Sequence, residues 1–140
     1  MKPSILLSLL LLFTSLSCKK DDTNVQAQNN GLVGKWKMVA QLLDTGNGKP
    51  QFVEATEGFS SVIEFKSNGD FKEQKGFLYS YINPFDTYKI LDNKKIQLSV
   101  TKSTAQVPPF EWQYQDLTAT TVTLSFGCDK PCMGKYVAIK

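Results

Sequence analysis

The sequence predicts an all-β fold, a small antiparallel up-and-down β-barrel of eight or nine strands. Short segments alternate apolar and polar residues, as expected of strands with one buried face, and Gly, Pro, Asn and Asp residues separate these segments. Residues 31–140 contain no sustained apolar stripe at helical spacing and no internal repeat. With 140 residues in all, the chain has room for one ordinary domain.

The first 17 residues are typical of an export signal. Lys2 gives a positively charged start, and Ile5 to Phe13 is an apolar run that only Ser8 interrupts. The run is too short to span a bilayer, which needs about 20 residues. We therefore expect the chain to be exported.

Cys18 follows a small residue, Ser17, and this pair resembles the lipobox of bacterial lipoprotein signals. The resemblance implies that Cys18 is acylated and becomes the first mature residue; the alternative is an ordinary cleavable signal with an incidental Cys. Residues 18–30 are mostly polar and predict a flexible tether, so the compact domain is expected over residues 31–140. More than one acyl chain would hold the domain stably at a membrane.

The alternation of apolar and polar residues predicts where the strands of this domain lie. In the first clear hairpin, Ile63 and Phe65 face inward, and a three-residue loop with Gly69 in the left-handed conformation pairs Phe65 with Phe71. Pro108-Pro109 is expected in a connection or at a strand start. The other predicted strands are Trp36 to Leu43, Gln51 to Ala55, Phe77 to Ile82, Tyr88 to Ile90, Ile96 to Val100, Phe110 to Gln115, Thr121 to Phe126, and Tyr136 to Ile139. Whether the first and last strands pair and close the barrel is left open.

The order of several short motifs resembles the lipocalin-like domain of Bacteroidota lipoproteins. Gly34-Lys35-Trp36 is similar to the Gly-x-Trp first strand of lipocalins, and the hairpin from Ile63 to Phe71 and the segment from Cys128 to Tyr136 match in order and spacing. The resemblance covers nearly all of residues 31–140 and implies a small up-and-down barrel that can enclose a cavity, in a family whose ligand is generally unassigned. In lipocalins an Arg packs across this Trp; here Lys135 or Lys140 is expected to replace it.

The charged residues that follow Cys18 are Lys19-Lys20-Asp21-Asp22. They resemble the export tag of surface lipoproteins in the same bacteria. The resemblance implies an outer-membrane lipoprotein exposed on the cell surface, whereas a plain solvated tether would look the same.

The composition excludes several classes of function. There is no His, which excludes Ser-His-Asp and Cys-His catalysis and removes the commonest metal ligand. All 16 basic residues are Lys and they are scattered among 13 acidic residues, so nucleic acid is a poor partner. Glu64 and Glu73 could approach each other across the hairpin as a carboxylate pair. Because Glu64 is expected to face solvent, we expect no enzyme activity and no cofactor.

Cys128 and Cys132 lie beyond the export signal, so they meet an oxidising compartment. A disulfide that closes the turn before the last strand is the leading interpretation. Two thiols without His are too few for a metal site, and redox catalysis usually has two residues between the cysteines.

Two hypotheses for function remain. In the first, the barrel holds a small apolar or amphipathic ligand, because Tyr and Trp combine an apolar body with a polar atom. In the second, side chains fill the barrel, and the loops from Asp44 to Pro50 and from Thr101 to Pro109 contact another protein or a glycan. Structural roles are expected for Gly34, Gly69 and Trp36, with Trp36 closing one end of the barrel. The candidate ligand-binding residues are Phe71, Tyr79, Tyr81, Tyr88, Trp112 and Tyr114.

Overall fold

A computed structural model describes residues 31–44, 46, 48–58, 60–75, 85–91, 94–104, 106–128 and 132–140. The export signal, Cys18, the tether and the predicted strand from Phe77 to Ile82, with Tyr79 and Tyr81, lie outside these residues. Within the described ranges no helix is long and apolar enough to cross a membrane.

The described residues form an all-β fold, which confirms the predicted class. Every pairing is antiparallel, and alternate residues of most strands are buried, as the alternation of the sequence predicts. The strands are β1 (Gly34–Asp44), β2 (Pro50–Glu54), β3 (Val62–Phe65), β4 (Phe71–Lys75), β5 (Thr87–Leu91), β6 (Lys95–Ser99), β7 (Phe110–Gln115), β8 (Thr121–Ser125) and β9 (Met133–Ile139).

One sheet of order β4-β3-β1-β9-β8-β7-β6-β5 curls into a nearly closed barrel. The first and last strands pair from Lys35 with Ile139 to Gln41 with Gly134, so this part of the wall has no open edge. β1 is long enough to pair with β3 through its first half and with β2 through its second half. A bulge at Val39 separates the two halves, because the β1–β9 register shifts there.

The two ends of the sheet approach each other between β4 and β5, where the barrel is nearly closed. Asp70 and Thr87 form an isolated antiparallel bridge. The backbone N–H of Phe71 donates to the Asp86 carbonyl at 2.9 Å, and the N–H of Tyr88 donates to the Gly69 carbonyl at 2.8 Å. The hairpin loop of β3 and β4 is therefore the point at which the two ends of the sheet meet.

The β3–β4 hairpin has the predicted three-residue loop. Phe65 pairs with Phe71, the Lys66 N–H donates to the Asp70 carbonyl at 2.9 Å, and Gly69 has a φ of 89°. The idea that Glu64 and Glu73 approach each other is wrong. Glu64 pairs with Lys72 on the outer face, whereas Glu73 pairs with the buried Ile63 and faces the interior.

The core is the inside of the barrel. Among the described residues, its buried apolar side chains come from eight of the nine strands, from Leu32 before β1 and from Phe126 after β8, and β2 alone of the strands contributes none. Hydrophobic burial of this kind is the main driving force for folding. The members of the core are Leu32, Trp36, Met38, Ile63, Phe65, Phe71, Tyr88, Ile90, Ile96, Leu98, Trp112, Tyr114, Val122, Leu124, Phe126 and Tyr136.

The predicted disulfide is present. Cys128 and Cys132 are bonded, with their Cα atoms 5.9 Å apart, in the connection between β8 and β9. The N–H of Phe126 donates to the Cys132 carbonyl at 3.1 Å, so backbone and disulfide together hold this turn.

Candidate functional site

One end of the barrel is closed by the segment that precedes β1. Leu32 is fully buried, and the Trp36 indole, 2% exposed, donates from Nε1 to the Leu32 carbonyl at 2.8 Å. Gly34, with a φ of 143°, lets the chain turn between them. Lys135, one of the two lysines expected to pack on Trp36, does not do so. Its Nζ lies on the outer face, 4.2 Å from the centre of the Phe52 ring. Trp36 points inward, so the wall separates the two side chains.

A continuous row of aromatic rings crosses the interior, and we call it the inner aromatic cluster. Its rings meet edge to face or tilted, the arrangements that aromatic pairs prefer. The centroid distances are 4.9 Å for Phe65–Tyr88, 5.4 Å for Phe65–Phe71, 5.7 Å for Phe71–Trp112, 5.0 Å for Trp112–Phe126 and 6.5 Å for Phe126–Tyr136.

The structure brings three of the candidate ligand-binding residues together in this cluster: Phe71, Tyr88 and Trp112. Tyr114 is also buried, two residues further along β7. The Tyr88 hydroxyl donates to the Lys66 carbonyl at 2.9 Å, so its polar atom is used within the fold. Tyr79 and Tyr81 lie outside the described residues.

Trp112 differs from Trp36 in its polar atom. It is 1% exposed, and its indole Nε1 is buried without a hydrogen-bond partner. A buried donor without an acceptor costs about 1–3 kcal/mol, and such groups are rare in native proteins. Among the described side chains, the indole of Trp112 is therefore a buried hydrogen-bond donor without a partner, and it lies among aromatic rings.

A polar pair lies at the end of the inner aromatic cluster. The hydroxyls of Ser61 and Tyr136, which are 0% and 2% exposed, are 2.8 Å apart. Burial raises the pKa of Tyr136 above its ordinary value; the hydrogen bond with Ser61 lowers it, and the negative charge of Glu73 raises it again. The Tyr136 hydroxyl thus stays protonated, and the Glu73 carboxylate acts on it inside the barrel.

Sequence reasoning missed Glu73, Ser61 and Tyr136 as interior polar residues. A signal for Glu73 was present: if Phe65 pairs with Phe71, then Ile63 pairs with Glu73 on the same inward face. Ser61 and Tyr136 lie 75 residues apart, and only the order of the strands brings them together.

A cavity of about 450 Å³ lies at the wall of β7 and β8. Its lining includes Glu111 and Gln113, which are exposed on the outer face of β7, and Ser125, which pairs with Gln113. The full lining is Pro109, Phe110, Glu111, Gln113, Ser125 and Gly127. This open groove mixes polar and apolar atoms, and it begins at the end of the loop from Thr101 to Pro109.

Among the described residues, no three His, Cys, Asp or Glu side chains lie close enough to hold a metal ion. Comparisons with known protein families, with curated proteins and with solved structures find no match.

Proposed function

We propose that this chain is a lipid-anchored binding protein of the cell envelope whose barrel takes up a small, uncharged amphipathic molecule. The unpartnered Nε1 of Trp112 carries this proposal. Because a buried N–H is costly without an acceptor, its presence favours an acceptor that comes from outside the chain. A carbonyl or hydroxyl oxygen of a ligand has the required chemistry.

The surroundings of Trp112 favour an apolar body for this ligand. Phe71 and Phe126 pack against the indole, with ring centres 5.7 and 5.0 Å from its own, so the ligand acceptor would enter a site lined by aromatic side chains. An eight-stranded barrel is just wide enough to be filled by side chains or to hold one small ligand. Uptake would require the rings of the inner aromatic cluster to shift.

The charge of the interior favours an uncharged polar group. Glu73 faces inward and its charge acts on Tyr136, so an anionic ligand would meet a like charge inside the barrel. A neutral amide or ester group avoids that repulsion and still offers a carbonyl acceptor to Trp112.

The binding test uses decanamide and decanoate as probes, with the full chain and calorimetric titration. We expect decanamide to bind the unaltered chain and decanoate to bind at least tenfold more weakly. Trp112→Phe keeps an aromatic ring and removes the N–H, so it should weaken decanamide binding about tenfold, the value of one hydrogen bond of about 1.4 kcal/mol.

Trp36→Phe is the matched control, because it is the same change at an indole that already has its acceptor. It should lower the free energy of unfolding more than Trp112→Phe does, since it leaves the buried Leu32 carbonyl without its donor. It should leave decanamide affinity unchanged. Equal binding by all three proteins, or no binding of either probe, would contradict the proposal for the interior.

The anchor rests on the Ser17-Cys18 pair and the apolar run before it. An intact mass of the chain from a native membrane should correspond to a start at an acylated Cys18. A different mature start would contradict lipidation and leave the interior proposal standing.

The outer groove favours a second candidate, a surface module that contacts a glycan or protein. Gln113 and Glu111 supply hydrogen-bonding groups beside the apolar Pro109 and Phe110. Gln113→Ala would then abolish partner binding and leave decanamide affinity unchanged.

A further inference from the structure

The outer wall formed by β9, β1, β3 and β4 carries a cluster of exposed lysines, which we call the lysine face. Its members are Lys35 and Lys37 of β1, Lys72 and Lys75 of β4, and Lys135 of β9. Lys35, Lys37, Lys72 and Lys135 point outward because each is next to a buried residue, Trp36, Phe71 or Tyr136. Lys75 is exposed on the same face because the β3–β4 register shifts between Ile63 and Val62 and pairs it with the outward Val62. The sheet order places the strands of the lysine face side by side.

The register shows how closely these lysines are grouped. In one row, Lys37 and Lys75 flank Val62 from the two sides, with Val137 beyond Lys37. Directly paired side chains have Cβ atoms about 4.5–5.5 Å apart, so the row is a compact strip of positive charge and apolar surface.

The next row repeats the pattern around one acid. Glu64 lies between Lys35 and Lys72, and Ile139, which is 37% exposed, pairs with Lys35. Glu64 offsets part of the charge of this row. Since the lysine face has five lysines against Glu64 and the neighbouring Glu54, its net charge is positive.

Exposed apolar side chains continue the lysine face toward β2. Lys135 pairs with Ala40, whose partner on the other side is Glu54, and the Lys135 Nζ lies over the ring of Phe52. Phe52 is 39% exposed on the strand whose every residue faces solvent. Cations interspersed with exposed aromatic and aliphatic side chains are typical of surfaces that rest on the headgroups of anionic lipids.

The opposite wall of the barrel is different. The outward residues of β5, β6 and β7 include Lys89, and Lys95 is paired with Glu111 at 3.4 Å. The rest of the outward residues on β6 and β7 are Gln97, Ser99, Gln113 and Gln115, which carry no charge. The positive charge on the described strands is thus concentrated on the lysine face.

We propose that the lysine face docks on an anionic lipid surface, with Val62, Val137, Ile139 and Phe52 at the headgroup level and the lysines paired with lipid phosphates. The opposite wall, with its groove, then faces away from the membrane. Residues 31–33 lead directly into β1, so a tether from the membrane would reach the domain at the edge of this face. Docking itself requires only charge complementarity and does not depend on acylation of Cys18.

The test compares two double variants that change the net charge equally. Lys37→Gln with Lys75→Gln removes the central pair of the lysine face, whereas Lys89→Gln with Lys94→Gln removes two exposed lysines from the opposite side. Sedimentation with vesicles of phosphatidylcholine, alone or mixed with phosphatidylglycerol, measures how each full-length protein partitions.

Each lysine near an anionic surface raises the binding constant about fivefold. We therefore expect the first pair of substitutions to weaken binding to the anionic vesicles on the order of 20-fold, and the second pair to have little effect. High salt should remove the difference. On phosphatidylcholine alone the three proteins should bind alike, and that binding reports the N-terminal anchor separately.

Equal weakening by both pairs would overturn the proposal, because binding would then follow net charge and no particular face. Equal binding by all three proteins to anionic vesicles would also overturn it. A third outcome would also overturn it. If the first pair of substitutions abolished binding to a soluble anionic polysaccharide and left vesicle binding intact, the ligand of the lysine face would be a glycan and not a lipid.

Amine footprinting provides a second readout that needs no variant. On anionic vesicles, acetylation of Lys37, Lys72 and Lys75 should fall several-fold relative to neutral vesicles, while that of Lys89 and Lys94 should not change. The same change in acetylation at all five lysines between neutral and anionic vesicles would contradict docking through this face.

Discussion

The hydroxyls of Ser61 and Tyr136 lie 2.8 Å apart inside the barrel and join the segment before β3 to β9. Both segments flank β1, and the N–H of Met38 on β1 donates to the Ser61 carbonyl at 2.8 Å. The pair therefore links three neighbouring parts of the wall from the inside. A hydrogen bond between buried groups matters chiefly because an unmatched partner is costly.

Tyr136→Phe should lower the free energy of unfolding by about 1–3 kcal/mol, because it leaves the Ser61 hydroxyl buried without its partner. Urea unfolding measures the change. The double variant Tyr136→Phe with Ser61→Ala should recover much of the loss. If the destabilisation of the double variant equalled the sum of the two single destabilisations, the two hydroxyls would have no coupling energy.

Gly134 is required by close packing. A Cβ at this position would lie 2.8 Å from the Tyr136 ring, 2.9 Å from the Met38 methyl and 3.2 Å from the Phe126 ring. Gly134→Ala should therefore destabilise the fold by about 1–3 kcal/mol. Gly58→Ala is the control, since a Cβ there meets nothing within 4 Å. Comparable thermal stability of the two variants would refute the packing argument.

Asp86 fixes the loop after β6 through three hydrogen bonds. Its carboxylate accepts from the Thr101 N–H and hydroxyl, each at 2.9 Å, and from the Lys102 N–H at 2.8 Å. Desolvation raises the pKa of Asp86, but these bonds and the charge of Lys102 together hold it below its ordinary value. The stabilisation is present at neutral pH and is lost as the pH falls through the lowered pKa of the folded state.

Asp86→Asn should accordingly reduce the free energy of unfolding at neutral pH by up to about 1 kcal/mol, a small effect because solvent screens the carboxylate. The difference from the unaltered chain should disappear in acid. Unfolding curves across the acidic range test this, and a difference that grows toward low pH would contradict it.

The disulfide closes a short loop, since Cys128 and Cys132 are four positions apart. Replacing both by Ser should cost about 2 kcal/mol or less, because the entropy of closing so short a loop is small. The variant should still fold as a barrel, which circular dichroism would show. Complete unfolding would mean that the disulfide does more than hold the turn before β9.

Local patterns were sufficient to predict the nine strands that the structure describes, and particular residues show where such prediction ends. The alternation around Phe65 and Phe71 predicted the hairpin and its loop, because strand period and turn chemistry are local properties. The bulge at Val39 and the pairing of β1 with β9 depend on contacts across the whole chain. The lysine face needs that pairing, since Lys135 reaches Lys37 and Lys75 only through the sheet order.

The sequence predicts which side chains are buried in the barrel, but not which of their polar atoms form hydrogen bonds. Burial of Trp36 and Trp112 follows from their inward positions in alternating strands. Whether each indole N–H finds an acceptor depends on atoms that the sequence pattern does not position. Leu32 supplies one for Trp36, and Trp112 has none.

The most direct test of ligand uptake uses these two indoles, which are the only tryptophans in the sequence. Their N–H groups give two signals in a proton–nitrogen correlation spectrum, recorded while decanamide is added to the full chain. We predict that the Trp112 signal moves downfield as its N–H gains an acceptor, while the Trp36 signal, already bonded to Leu32, stays in place. A Trp112 signal that does not move at saturating decanamide would contradict uptake in the barrel.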